Sequence, residues 1–233
     1  MSHGIFITGT DTGVGKTVVA AGLVRLSTNL GYRTVGLKPV ASGAEATAHG
    51  LRNADALSLA SAGSVPIPYQ ETNPYCFAPA IAPHLAAAEA GIAMTAASLV
   101  DWYRRASAHA SVSIVEGAGG WRVPLHPEGF LSDLPEMLGL GVVLVVGLRL
   151  GCLNHARLSF EAIERSGRCP FLGWVASRTD PAFERPDDNL ATLARLLGSP
   201  ALAVIPSLAE PSPDRVAGFL DRPGVRQLLR PRD

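Results

Sequence analysis

The chain has 233 residues, 47% of them hydrophobic and 17% charged, with 20 basic and 20 acidic side chains and no formal net charge. No basic block offers a footprint for nucleic acid, and the longest apolar run, near Val142 to Leu148, falls far short of the roughly 20 residues of a membrane-spanning helix. Three widely spaced cysteines (Cys76, Cys152, Cys169) argue against a disulfide framework or a zinc site. The opening MSHGIFITGTD lacks the basic start and long apolar core of an export signal, so a cytoplasmic protein is expected.

Short β-branched runs alternate with longer helical patterns. GIFITG (4–9) reads as a strand. A helix follows from Lys16 to near Gly31, with Val19, Leu23, Leu26 and Leu30 on one face. TVGLKPV (34–40) is the next strand. Residues 64–84, with five prolines, read as an excursion over the domain. A helix over about 95–108 carries Leu99, Trp102 and Ala106, and VSIVEG (112–117) is a strand after it. VVLVVG (142–147), a helix over about 153–166, LGWVAS (172–177) and ALAVIP (201–206) complete the series. The strands are almost continuously apolar, as strands covered on both faces must be. The alternation predicts an α/β fold, a mostly parallel central sheet flanked by helices on both faces. One domain over 1–233 is expected, with a loosely packed Pro- and Arg-rich tail from Pro211.

In such sheets ligands sit beyond the C-terminal strand ends. The first strand delivers GTDTGVGKT, Gly9 to Thr17. A phosphate loop, G-x-x-x-x-G-K-[ST], has four residues between its glycines; here five separate Gly9 from Gly15. The strand–loop–helix setting is nevertheless that of a phosphate site: free N–H groups at a helix start attract anions, Gly15 admits close approach, Lys16 reaches terminal phosphates and Thr17 can ligate Mg²⁺. Read as a dinucleotide motif the stretch fails, because Val18 stands where the third glycine belongs.

Mg²⁺ takes one or two carboxylates together with phosphate and water. Glu116, closing the apolar SIVE, is the first candidate and Asp55, at a helix start, the second; a strand-end salt bridge and an N-cap are the alternatives. Lys38 precedes Pro39, which favours extended backbone and projects the side chain past the strand end. Two lysines beside one nucleotide suggest phosphoryl transfer, in which charge stabilisation and positioning dominate. Ser42 and Gly43 form a polar turn suited to an acceptor. His84, His126 and His155 show no metal spacing.

GTDTGVGKT, KPVASG, GLRNADAL, NPY, VEGAGGW, VVGLRLGCLNHA and GWVAS, in this order from about residue 4 to 210, resemble the dethiobiotin synthetases. In that family the longer loop spacing is normal. The resemblance implies a phosphate-loop NTPase-like domain that uses ATP, Mg²⁺ and CO₂ to close the ureido ring on 7,8-diaminopelargonic acid. The course implied is a carbamate, then a carbamic–phosphoric anhydride, then ring closure with release of phosphate. It implies nucleotide contacts from Thr12, Gly13, Val14, Gly15, Lys16, Thr17 and Val18, from Asp55, Glu116, Gly117, Ala118 and Gly119, and from Ala176, Ser177, Pro206, Ser207 and Leu208. Thr17, Asp55 and Glu116 would hold Mg²⁺, and Lys38 with Lys16 would be catalytic. Ser42 and Lys38 would meet the diamine, with Gly151 and Asn154 reaching it from the partner of a homodimer.

The chain departs from that pattern at Ser177, where an Asn commonly reads adenine; a weakened adenine preference is expected, and use of other nucleoside triphosphates with it. Two other classes fit less well. A partitioning-type nucleotide switch carries an extra lysine early in the loop, absent from GTDTG. A glutamine-dependent amidoligase needs a glutaminase domain and nucleophilic Cys, for which this chain has neither length nor setting.

Overall fold

The computed structural model describes residues 2–126 and 129–231; the side chain of His126 lies outside the described part. Six strands form the main sheet: β1 (His3–Gly9), β2 (Thr34–Leu37), β3 (Val112–Glu116), β4 (Gly141–Gly147), β5 (Phe171–Ser177) and β6 (Ala203–Ile205). Their spatial order is β6-β5-β4-β1-β3-β2, and every pairing is parallel. The helices that cover the sheet include α1 (Lys16–Asn29), α2 (Ala54–Ala62), α3 (Ala96–Ala106), α4 (Cys152–Ser166), α5 (Pro186–Leu196) and α6 (Pro213–Leu220).

Side chains of a strand alternate between faces, and the two cores divide accordingly. Ile5, Ile7, Ile114, Val143 and Val145 pack with Val19, Leu23 and Leu26 of α1 and Leu59 of α2. Phe6, Val115, Leu144 and Val146 pack on the other face with Leu99, Trp102 and Tyr103 of α3, Ala156 and Ile163 of α4, and Leu193 of α5. The strands therefore have no solvent-facing side, which explains their almost continuous apolar runs.

Two expectations are corrected. The second strand stops at Leu37 rather than running to Val40. Pro39 has no N–H to continue the ladder, and Lys38 turns its own N–H to the Thr72 carbonyl at 2.8 Å. Val40–Ala41 then pairs with Tyr75–Cys76 in a separate two-stranded ribbon. The tail is not loose either. Val216, Ala217, Leu220, Val225 and Leu229 are buried in the same core as α1. Gly22 of α1 makes this possible: a Cβ there would stand 2.5 Å from Val216 Cγ1, so α6 lies against bare helix backbone.

Register sets the site. Glu116 pairs with Ile7, Leu37 with Val115 and Gly9 with Val145. The loop after β1, Lys38 after β2 and the carboxylate at the end of β3 thus emerge at one edge of the sheet.

Candidate active site

At that edge lies a cleft of about 840 Å³ lined by the phosphate-type loop, Lys38, Ser42, Asp55, Glu116, the Ala80–Pro83 turn and Val123–Pro124. Gly15 forms the N-cap of α1 with φ 90°, a left-handed conformation that glycine adopts without strain. No acidic side chain occupies the first turn of α1, and Val19 is the first residue to bond back, to the Gly15 carbonyl at 3.0 Å. The N–H groups of Lys16, Thr17 and Val18 therefore have no acceptor within the helix and present a positive end to the cleft. Val14 turns its side chain inward instead, against Gly9 and Gly147, so only its backbone can serve a ligand. Gly13 has φ 72° and open space where a Cβ would stand.

The charges meet on the cleft floor. Lys38 Nζ lies 2.6 Å from Glu116 Oε1 and 3.2 Å from Asp55 Oδ2, and donates to the Gly117 carbonyl at 3.2 Å. Thr17 donates its hydroxyl to Glu116 Oε1 at 2.8 Å. Lys38 and Glu116 are buried, while the Asp55 side chain is 41% exposed. Burial opposes the charge on Lys38, but Glu116 and Asp55 overcome it and hold the ammonium above its ordinary range. Burial pushes the Glu116 carboxyl up, with Lys38 opposing. Lys16 lacks such partners. Burial, and then repulsion from Lys38, lower it to about 8, and its Nζ donates to the Asp11 carbonyl at 2.7 Å.

Asp55 is not the N-cap of its helix. Asn53 caps α2, accepting from the N–H groups of Asp55 and Ala56, which leaves the Asp55 carboxylate in the first turn for Lys38. Thr17, Asp55 and Glu116 thus present a hydroxyl and two carboxylates, an all-oxygen donor set suited to Mg²⁺. Glu116 Oε2 is buried without a hydrogen-bond partner, as an atom reserved for a cation would be. Among the described residues there is no group of three or more His, Cys, Asp or Glu able to hold a metal alone; a cation here needs phosphate and water as further ligands.

The structure brings most of the expected residues together and leaves others apart. Thr12, Gly13, Gly15–Val18, Ser42, Ala118 and Gly119 line the cleft, and the Ser42 Oγ is buried without a partner. Ser177, 5% exposed, lies beside the loop: a Cβ on Gly15 would stand 2.7 Å from its Oγ. Ala176 is buried within β5, and Pro206, Ser207 and Leu208 follow β6 at the neighbouring strand end. Gly151 and Asn154, at the start of α4, are exposed and do not line the cleft. Sequence reasoning missed Asp11, whose Oδ1 accepts from Thr12 N–H at 2.7 Å and whose carboxylate pairs with Arg149; an acid inside a phosphate loop was the available signal. It also missed Ala80–Pro83, which carry no polar side chain to mark them.

A parallel doubly covered sheet, a glycine-rich loop opening a helix, and two carboxylates, one at the adjacent strand end and one at a helix start, define a phosphate-loop NTPase. Solved structures of that architecture agree: the MinC:MinD cell division protein complex of Aquifex aeolicus aligns with TM-score 0.61 at 13% identity, covering 98% of this chain and 96% of that one. The cell division ATPase MinD of Pyrococcus furiosus aligns with TM-score 0.59 at 16% identity over the same shares. At such identity the likeness is one of fold. A family model described as an AAA domain matches residues 3–215. The ATP-dependent dethiobiotin synthetase BioD of Pseudomonas paraeruginosa (strain DSM 24068 / PA7) is 55% identical over 217 residues, 93% of this chain and 95% of its own. The protein of the same name from Chromohalobacter salexigens is 49% identical, over 94% of this chain and 98% of its own. The chain belongs to the ATP-dependent dethiobiotin synthetase family.

Proposed function

We propose that the chain closes the ureido ring of dethiobiotin from 7,8-diaminopelargonic acid, CO₂ and ATP, releasing ADP and phosphate. One observation carries the reading: the buried ammonium of Lys38 stands on the floor of the cleft whose rim is the phosphate loop. The reaction brings an anionic carbamate to an anionic phosphate, and charge at that meeting point must be neutralised.

An amine of the substrate adds to CO₂ and loses a proton, giving a carbamate. The Lys38 ammonium holds the carbamate oxygen, and that oxygen attacks the γ-phosphorus as ADP departs. Lys16 and the N–H groups of Gly13–Val18 cradle the phosphates and take up the growing charge. The second amine attacks the carbonyl carbon of the carbamic–phosphoric anhydride, loses a proton, and phosphate leaves as the ring closes. The free Ser42 hydroxyl has the placement to hold the diamine. Thr17, Asp55 and Glu116 would hold Mg²⁺, which when bound supplies Lewis-acid charge neutralisation to the phosphates. Gly117–Gly119 line the nucleotide's path, and Ala176, Ser177 and Pro206–Leu208 meet the base.

The active unit is a homodimer in the cytoplasm. Leu150 is 94% exposed beside Gly151 and Asn154, an apolar residue placed where a partner would cover it, and Asn154 then reaches the partner's cleft. No helix among the described residues is long and apolar enough to cross a membrane, and the three cysteines are unpaired. The test is phosphate release from ATP with diamine and bicarbonate supplied together or singly. Release that requires both supports the reading; hydrolysis indifferent to the diamine overturns it.

A further inference from the structure

Lys38 and Asp55 come from different elements, the end of β2 and the start of α2. A single phenol ties the two together. The Tyr69 hydroxyl accepts from the Asn53 backbone N–H at 2.8 Å and donates to Asn73 Oδ1 at 3.1 Å. Asn73 in turn donates its Nδ2 to the Lys38 carbonyl at 2.8 Å and to the Tyr75 carbonyl at 3.2 Å. The next link closes the ring on the same residue, since Lys38 N–H donates to the carbonyl of Thr72. Asn53 is the cap whose side chain accepts from Asp55 N–H. Thus Lys38 is held by both of its backbone polar groups from the Tyr69–Asn73 segment, and the helix start bearing Asp55 hangs from the same hydroxyl. Asn73 is 2% exposed, so its bonds are not traded with water. Arg52 lies over the Tyr69 ring, 4.2 Å from its centroid, and fixes the phenol from the open side.

We propose that Tyr69 and Asn73 are positioning residues that set the distance between the Lys38 ammonium and the Asp55 carboxylate, and hence the geometry of the cation site and of phosphoryl transfer. Neither side chain lines the cleft; both act through the backbone of residues that do. A hydrogen-bond ring spanning a strand end and a helix cap holds reacting groups to a fraction of an ångström, and looseness on that scale costs catalysis more than binding. The inference rests on the roles given above to Lys38 and Asp55.

Tyr69→Phe keeps the ring and its stacking with Arg52 and deletes only the shared oxygen. Asn73→Asp keeps the acceptor for Tyr69 and deletes the donors to Lys38 and Tyr75. In diamine- and bicarbonate-dependent phosphate release, Tyr69→Phe is expected to lower kcat about tenfold and leave the KM for ATP within about twofold, and titration calorimetry of Mg²⁺ into the ADP-bound protein is expected to show several-fold weaker binding. Asn73→Asp is expected to shift kcat and Mg²⁺ binding further. Should Asn73→Asp fail to fold, Tyr69→Phe decides alone. A folded Tyr69→Phe enzyme with normal kcat and Mg²⁺ binding overturns the proposal, as does a uniform loss of ATP affinity. Lys38→Met measured alongside separates the two levels: if it is inactive while Tyr69→Phe is normal, only the positioning role falls; if it is active, the role of Lys38 falls and this inference with it.

Discussion

Lys38 and Glu116 share one buried contact, Nζ to Oε1 at 2.6 Å, and the carboxylate oxygen involved also receives the hydroxyl of Thr17 from the phosphate-loop helix. The pair is therefore a joint between β2, β3 and α1.

Breaking that joint separates catalysis from stability. Lys38→Met is expected to reduce ring-closure turnover on the order of a thousandfold or more, the scale of a cation lost from phosphoryl transfer. It also strands Glu116 without its main counter-charge, at a cost of about 3–5 kcal/mol in folding stability near neutral pH. Adding Glu116→Gln should recover most of the stability, seen by denaturant unfolding, and none of the activity. A Lys38→Met protein of unchanged stability would show that the contact is not formed in solution.

The lowered Lys16 predicts a pH dependence for phosphate binding. Its pKa falls from 10.5 to about 8 in the folded protein. Between those values the unfolded chain binds more protons than the folded one, so this group's share of stability grows as pH rises through the window. Phosphate binding needs the ammonium. Affinity for metal-free ADP should be level between about pH 7, where the terminal phosphate is already ionised, and pH 8, and fall by about tenfold per pH unit above it, with proton uptake on binding at pH 8.5. Titration calorimetry in buffers of differing ionisation enthalpy reads both; a flat profile to pH 9.5 would contradict the shift.

Two loop glycines should respond differently to alanine. Gly15 has φ 90° and would drive its Cβ to 2.7 Å from Ser177 Oγ, whereas Gly13 has φ 72° and nothing within 4 Å. Gly13→Ala carries only the left-handed strain, about 1–2 kcal/mol. Gly15→Ala adds the collision and shifts the helix start that faces the phosphates. Nucleotide affinity should fall about tenfold or more for Gly15→Ala, the loss expected when preorganised donors are displaced, and change little for Gly13→Ala. Equal losses would mean that the loop is not held in this form.

Ser177 bears on the choice of nucleotide. Its short hydroxyl lies beside Gly15 and cannot span a base edge as an amide does. ATP is expected to be preferred over CTP and GTP by no more than about tenfold in kcat/KM; a site that pairs with a base edge discriminates far more strongly. A preference of several hundredfold, with an ordinary KM for ATP, would sink the idea.

How much of this was legible in the sequence follows from what each residue does. The six strands of the main sheet are readable because both faces are buried, so their apolar runs are almost continuous. Gly15, Lys16 and Thr17 were readable because the loop's chemistry is confined to consecutive residues. Lys38, Asp55 and Glu116 could be nominated from their strand-end and helix-start positions, but their meeting depends on β3 lying between β1 and β2, a strand order that no local pattern encodes. The tail reads as loose because its prolines and arginines are conspicuous in sequence, while its fit depends on the missing side chain of Gly22, far away in the chain. Ala80–Pro83 reach the cleft through the path of a loop and leave no chemical trace.

That tail has a consequence for how the molecule comes together. The His3 ring bonds the Leu228 carbonyl at 2.7 Å across 225 positions of sequence, and α1 leaves a face uncovered until Val216 and Leu220 arrive at Gly22. Contacts of such separation are slow to form, because loop-closure entropy must be met before they contribute. On a ribosome the loop-bearing helix would wait, partly wet, until α6 had emerged. Nucleotide binding should therefore appear late in folding, as a property of the long-range packing of α6 on α1 rather than of the segment that carries the glycines.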